Sequence, residues 1–492
     1  MLKPKALLKH SKAKKKTQQV LETADDFQAA GVDFEEAAGK WRAGDAVKSL
    51  RFFAKAVDVY NQGLQKYPSS LDLAYNKART LLEVATHPLL VDHLPIPLAD
   101  ALQQALDAHQ YALNLDGDNP DTLFNTAQVL TSIAELRAAN GAEGDAIRFL
   151  EDALELQSRC LAVQELKLEE STQQQKEYDA QPQPTINSGA DESQAAATST
   201  IGQPDPAEEQ WFSIVEPITT DTLVDTVLAQ LGTLTTLCSI LSSATIHASS
   251  NGLAWIEEFS SKLIGAKLAH LLKEADSERL QEAALARANL MSHLLAAGYR
   301  LGSLDSSTYK RERDEAFQAP ELKMDQSYAS LTANAQSLIL FNSALMETQR
   351  SDSVSQSSQR WNALSAAVNL LAAAAKKSDP VPDEIADTHL NRGNISLLLY
   401  QLGQAPVFYQ QAISNAAQIL KNAEVFYRNA SKLFQSTDAR DISQFRAAIS
   451  QALQAQVSLP EAALQFGQNK DQTWIQTQME DMVDEGLITR TW

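Results

Sequence analysis

The sequence predicts an all-α protein built as an array of stacked helical hairpins, and three observations predict it. Glycine (18) and proline (16) are scarce in 492 residues, against average usage of about 7% and 5%, while Ala, Leu and Gln, all good helix formers, recur throughout. Apolar residues return at three- and four-residue spacing, the pattern of helices buried on one face. Small and large residues also recur at fixed offsets. At this length one ordinary core would not suffice, so an extended array of repeated units is the expected solution.

Residues 1–20 form a basic arm expected to be disordered, with Lys3, Lys5, Lys9, Lys12, Lys14, Lys15 and Lys16 and no acidic residue. Lys12, Lys14, Lys15 and Lys16 make a candidate nuclear import signal; a solvated tail is the alternative, and the absence of arginine argues against a mitochondrial presequence. Residues 33–169 read as N-terminal hairpins. Residues 170–208 hold four prolines and one aromatic, Tyr178, in long polar tracts, too little apolar surface to offset ordering entropy, so they read as a disordered loop or linker. Helical pattern resumes within a few residues on both sides, which favours a bulge from one continuous array. Residues 209–440 are again hairpins, with a long inter-helix loop expected near Gln349 to Gln359.

Helices within that second stretch are expected over Thr222 to Leu241, Gly252 to Lys273 with Trp255, Phe259 and Leu263 on one face, Leu280 to Leu301, and Ser327 to Met346. Residues 441–492 carry two more amphipathic helices, Ile442/Phe445/Ile449/Leu453 and Ile475/Met479/Met482/Val483/Leu487. The second is expected to cap the open edge of the last repeat, or else to present a docking face.

The offsets are countable. Asn391-Arg-Gly393 is followed by Ala405, Tyr409 and Ala412 at spacings of 12, 4 and 3. Asn76-Lys-Ala78 and Asn125-Thr-Ala127 repeat the first half of this signal, and Ala105/His109/Ala112, Ala146/Leu150/Ala153 and Ala366/Leu370/Ala373 repeat the second. The phrase from Ala112 to Pro120 reads as an inter-repeat turn. Together these resemble tetratricopeptide repeats, in which a small residue on helix A lets helix B cross closely and two small residues on helix B flank one bulky plug. The resemblance implies an α-solenoid of about six or seven hairpins, several of them extended or degenerate, with a C-terminal helical cap. From Ala127 to Ala146 is 19 residues, and three prolines interrupt residues 87–97; both are departures from the family pattern.

Formal charge is −20, and outside the lysine arm 35 basic residues face 62 acidic ones. A body that acidic repels nucleic acid and anionic membrane and attracts cationic partners, although acidic surfaces also serve solubility alone. Cys160 and Cys238 stand at no metal or redox spacing, which suits a reducing compartment. No apolar run is expected to reach a membrane span, and no secretory h-region is present, so a cytoplasmic or nuclear location is expected.

No catalytic motif emerges. The eight histidines include no pair with zinc-hydrolase spacing, and His109 sits at a plug position, where a packed core histidine is the simpler reading than a catalytic base. No phosphate loop, nucleophile elbow or kinase set is present. No enzyme, metal or cofactor is therefore expected. Heat-shock carboxylate clamps, a function of some tetratricopeptide proteins, carry a Lys four residues before the Asn of a Gly-Asn pair. Here that position before Asn394 is Leu390. The leading expectation is a protein-binding solenoid that escorts a basic client, as acidic tetratricopeptide assembly chaperones for ribosomal proteins do. A structural subunit of a larger complex is the alternative, and a heat-shock co-chaperone ranks below both.

Overall fold

Helix starts follow local chemistry in the computed structural model of the chain, which describes residues 21–179, 218–242, 250–348, 353–466 and 470–490. Thr23 and Asp26 form a capping box, each side chain accepting from the other's backbone N–H, and so open α1 (Ala24–Trp41), satisfying donors that a helix start leaves orphaned. The expected start at Asp33 was therefore too late by more than two turns. Asp45 caps α2 (Ala46–Lys66), and Ser70 caps α3 (Leu71–Thr86). The proline-rich insertion holds the short α4 (Pro88–Val91) and leads into α5 (Leu98–Leu115). Asn119 with Pro120 in the first turn starts α6 (Pro120–Ala139), and α7 runs Glu143–Asp179.

The chain divides into two compact units, Met1–Leu166 and Lys167–Trp492, with the boundary inside α7. In the first unit α1 pairs with α2 and α3 with α5, and α6 packs on α5. The extra residues between Ala127 and Ala146 lengthen helices rather than forming a loop, since only three residues separate α6 from α7. Leu90 of the proline-rich insertion is fully buried against Ala38 and Phe53.

The second unit contains α8 (Thr220–Leu241), α9 (Ser250–Lys262), a π-helical stretch Leu263–Leu268 and α10 (Ala269–Leu271). There follow α11 (Ser277–Arg300), α12 (Ser306–Ala316), α13 (Tyr328–Glu347), α14 (Ser353–Ala374), α15 (Pro382–Gln401) and α16 (Gln410–Leu433). The last three are α17 (Thr437–Ala455), α18 (Leu459–Phe466) and α19 (Gln472–Asp484). Successive helices from α13 to α17 pack each on the next around one contiguous apolar core that includes Phe341, Leu364, Ile395, Leu420 and Phe445. No strand occurs among the described residues. The protein is an all-α array of helical hairpins.

Four expectations need correction. Residues 170–179 are helical, because Glu, Gln and Lys hold helix without burial, and residues 171–177 are exposed; the remainder of the expected loop lies outside the described residues. Ser353 to Gln359, expected in a loop, belongs to α14. The buried stripe of α9 is Leu253, Ile256 and Ser260, continued by Leu263 of the π-helical stretch, and Trp255 is 45% exposed, stacked on Phe259. Finally, α8 is long and apolar enough to cross a membrane by length and composition, contrary to expectation. Most of its apolar window is buried within the protein, where it packs on α11 with Thr226, Gln230 and Thr233 also buried.

Candidate protein-interaction site

Close helix crossing in this array is built from a glycine facing a buried tyrosine. A Cβ on Gly31 of α1 would stand 2.2 Å from the Tyr60 ring of α2, a distance no side chain tolerates, so only glycine admits the ring. Ala56 and Gly63 flank Tyr60, and all three are buried. In α15 a Cβ on Gly393 would stand 2.5 Å from the Tyr427 ring, and Ala423, Tyr427 and Ala430 of α16 are fully buried. Both plugs show the small, large, small spacing of four and three.

This second plug corrects the expected one. Asn391 is half-buried and Gly393 buried as a close-crossing residue, but α15 ends at Gln401 and α16 begins only at Gln410. Ala405 is therefore exposed in the connecting loop and Tyr409 precedes the helix, leaving Ala412 alone buried. Ala366, Leu370 and Ala373 are likewise one residue out of register. The buried trio on α14 is Ala367, Leu371 and Ala374, which satisfies the same spacing in an alanine-rich run.

The remaining sets lie as follows. Ala105, His109 and Ala112 on α5, and Ala146, Leu150 and Ala153 on α7, are fully buried. Ala78 and Ala127 are buried and Asn76 is half-buried, while Asn125 of α6 donates to the Tyr75 hydroxyl of α3 at 3.1 Å. Nδ1 of His109 lies 2.8 Å from the Ala105 carbonyl and Nε2 has no partner. Burial holds its pKa below the usual histidine value, so the ring is a neutral plug rather than a base. Lys12, Lys14, Lys15 and Lys16 lie outside the described residues.

In the first unit the tyrosine plug connects to a charged ladder that the sequence reading missed. The Tyr60 hydroxyl donates to Glu35, which also accepts from Arg79 and Thr80 of α3. Glu83 then pairs with Arg79 and with Arg42. Burial, then the Glu35 bond, raises the Tyr60 pKa, so the hydroxyl keeps its proton. In the same unit an open groove of about 550 Å³ is lined by Asp58, Gln62, Leu64, Lys77 and Tyr111 among others. On α6, Glu135 has no ion pair among the described residues, and burial raises its pKa.

In the second unit a groove of about 240 Å³ with mixed lining runs between α11 and α13, with Asn289, His293, Gln336 and Ser343 beside Ile339 and Leu340. At the start of α15, Asp387 has no cation partner among the described residues, and burial followed by repulsion from Asp383 and Glu384 raises its pKa. Asn394, the residue after Gly393, is already engaged: its Oδ1 accepts from the Tyr427 hydroxyl at 2.8 Å and from Arg446 at 2.9 Å. Among the described residues no group of three His, Cys, Asp or Glu side chains is placed to hold a metal.

What the array and its polar faces define is a protein of stacked helical hairpins. No protein-family model matches the chain. It is 34% identical over 159 residues to the UPF0656 protein C926.02 of Schizosaccharomyces pombe, which covers 32% of this chain and 35% of that protein. It is also 38% identical over 76 residues to the uncharacterized protein YNL193W of Saccharomyces cerevisiae, 15% of this chain and 14% of that one. The matched stretches thus span about a third or less of each relative's length. Among solved structures, a circular tandem repeat protein with novel repeat topology aligns over 94% of this chain and 96% of its own at 13% identity and a TM-score of 0.30. Yeast Tom70 aligns over 93% and 96% at 13% identity and a TM-score of 0.16. The fold assignment rests on the helices themselves.

Proposed function

We propose that this chain is a non-catalytic protein-binding array of the tetratricopeptide type that holds a basic polypeptide, acting as an escort or assembly chaperone in the cytoplasm or nucleus. The observation that carries this reading is acidic surplus left unneutralised: 62 acidic residues against 42 basic, with Glu135 and Asp387 both exposed and without an ion pair among the described residues. An exposed, unpaired carboxylate is open to an arriving lysine or arginine, and at Asp387 the neighbouring Asp383 and Glu384 add to the attraction. Long-range attraction speeds capture and shields the client from nucleic acid. Neither nucleic acid nor membrane is a proposed partner.

A structural subunit of a multiprotein complex would use the same faces through apolar contact. Affinity purification from the source cells at low and high salt separates the two readings. Enrichment of basic proteins at low salt that is lost at high salt supports escort; the same partners retained at both salts support the structural subunit. A heat-shock co-chaperone role finds no support, since Leu390 replaces the clamp lysine and the Asn394 oxygen is taken by Tyr427 and Arg446.

A further inference from the structure

The C-terminal residues of the second unit are seated on three alternate helices of its array, α13, α15 and α17. Gly486 lies against Met346 of α13 and Leu398 of α15, where a Cβ would stand 3.1 Å from the Met346 methyl. Gln401 of α15 donates to the Leu487 carbonyl at 2.9 Å. Arg446 of α17 grips Glu485 with both terminal nitrogens, at 2.6 and 2.8 Å, a bidentate pairing with geometric specificity. Leu487 and Ile488 are 1% and 3% exposed in the apolar core between these helices. Trp474 of α19 packs edge-on against Phe445 of α17 at 5.6 Å.

Each contact reads one feature of the segment. The carboxylate is read by Arg446 and Asn394. The turn is read by Met346, because α19 ends in a Schellman turn with Gly486 at φ +70°, its N–H bonded to Val483 and that of Leu487 to Met482. A side chain there would meet both backbone strain and the Met346 thioether. The two aliphatics are read by burial.

The two halves of the ion pair differ in kind. Arg446 is 7% exposed, and Asn394, itself bonded to Tyr427, holds it to the array. Glu485 remains 41% exposed at the rim. The cation is the buried half of the pair, fixed by the array, and the carboxylate is the half that reaches solvent. A vacated Arg446 would be left with neutral partners on a poorly hydrated surface, which is costly, so whatever replaces the segment must bring its own carboxylate.

We propose that α13, α15 and α17 form a peptide site kept closed by the chain's own C-terminal segment, and that its external partner is an amphipathic helix ending in an acidic residue, a glycine and two aliphatic residues. This site makes a different demand from the acidic surface assigned to a basic client, since it requires a carboxylate from the partner.

The test uses the full chain and a fluorescent synthetic peptide of residues 471–492, followed by anisotropy. Wild type is expected to bind the peptide at least tenfold more weakly than Glu485→Arg, in which the resident segment is unlatched. The charge-swapped Glu485→Arg/Arg446→Glu chain re-latches its own segment and returns to the weak binding of wild type. A Glu485→Arg chain that keeps wild-type helicity by circular dichroism yet gains no peptide binding overturns the proposal. Hydrogen exchange on the wild-type chain decides the matter even if that variant fails to fold. Amides of residues 475–488 are expected to exchange at least tenfold faster than those of α15, and equal protection would make the segment an integral part of the core and sink the idea.

Discussion

The hairpin α1/α2 of the first unit and the hairpin α15/α16 of the second solve the same packing problem and then diverge. In both, a glycine admits a buried tyrosine flanked by small residues, Gly31 with Tyr60 and Gly393 with Tyr427. The hydroxyls have different fates. Tyr60 donates to the carboxylate of Glu35, and through Arg79 that ties its hairpin to α3. Tyr427 donates to the amide of Asn394, and through Arg446 that ties its hairpin to the C-terminal segment. The shape of the crossing is shared, and the polar group beside the tyrosine decides what the crossing is wired to.

The harshest way to break the comparison is to fill the crossing itself. Gly31→Val and Gly393→Val should each destabilise their unit by about 3 kcal/mol, the upper range for overpacking a filled core, measured by urea denaturation. Trimming the facing ring should recover part of that loss, so Gly393→Val/Tyr427→Leu should be more stable than Gly393→Val alone. If either glycine accepts valine within about 0.5 kcal/mol, which is the range of a neutral surface change, that crossing is not as close as described.

Removing only the hydroxyls sharpens the difference. Tyr60→Phe takes a bond from an ionised acceptor and should cost about 1.5 kcal/mol, whereas Tyr427→Phe takes one from a neutral amide and should cost about 1 kcal/mol. The reverse ranking by chemical denaturation would mean that the Asn394–Arg446 wiring outweighs the charged ladder.

A third plug, His109, adds a pH dependence to the first unit. Burial holds its folded pKa below the ordinary histidine value of about 6.5, so the unfolded chain binds the proton more readily. Its contribution to stability is complete above pH 6.5 and is lost as pH falls through the folded value. Thermal melts of wild type between pH 7 and about pH 5 should show a drop that is smaller in His109→Leu, which keeps a plug without the proton. Identical slopes would remove the neutral-plug assignment.

The smallest effect concerns Asp387, whose carboxylate is disfavoured by burial and by Asp383 and Glu384. Asp387→Asn should leave folding unchanged or slightly firmer at neutral pH while weakening capture of a basic peptide such as oligolysine at low salt. Unchanged capture would take Asp387 out of the proposed client surface.

Helical class and repeat character were legible because periodicity and composition are local properties of the chain. The buried sets at Ala105/His109/Ala112 and Ala146/Leu150/Ala153 were legible too, since each sits in mid-helix with no competing register. Ala366/Leu370/Ala373 failed because the alanine run fits the pattern in two registers, and only contact with neighbouring helices selects Ala367, Leu371 and Ala374. Ala405 and Tyr409 failed for another reason. A spacing pattern contains no helix start, and here the helix waits until Gln410. The first plug escaped notice because 25 residues separate Gly31 from Ala56, so long helices hid the relation.

Composition and spacing thus decided that this chain folds into helices, that the helices repeat, and that its surface is acidic. Which residues of each stripe face inward, and which polar groups meet across helices, depended on side chains far apart in the chain. Glu35 reaches Arg79, and Arg446 reaches both Asn394 and Glu485. Pairings over such separations exist only once helices have packed, because burial and a second partner together make a charge worth desolvating.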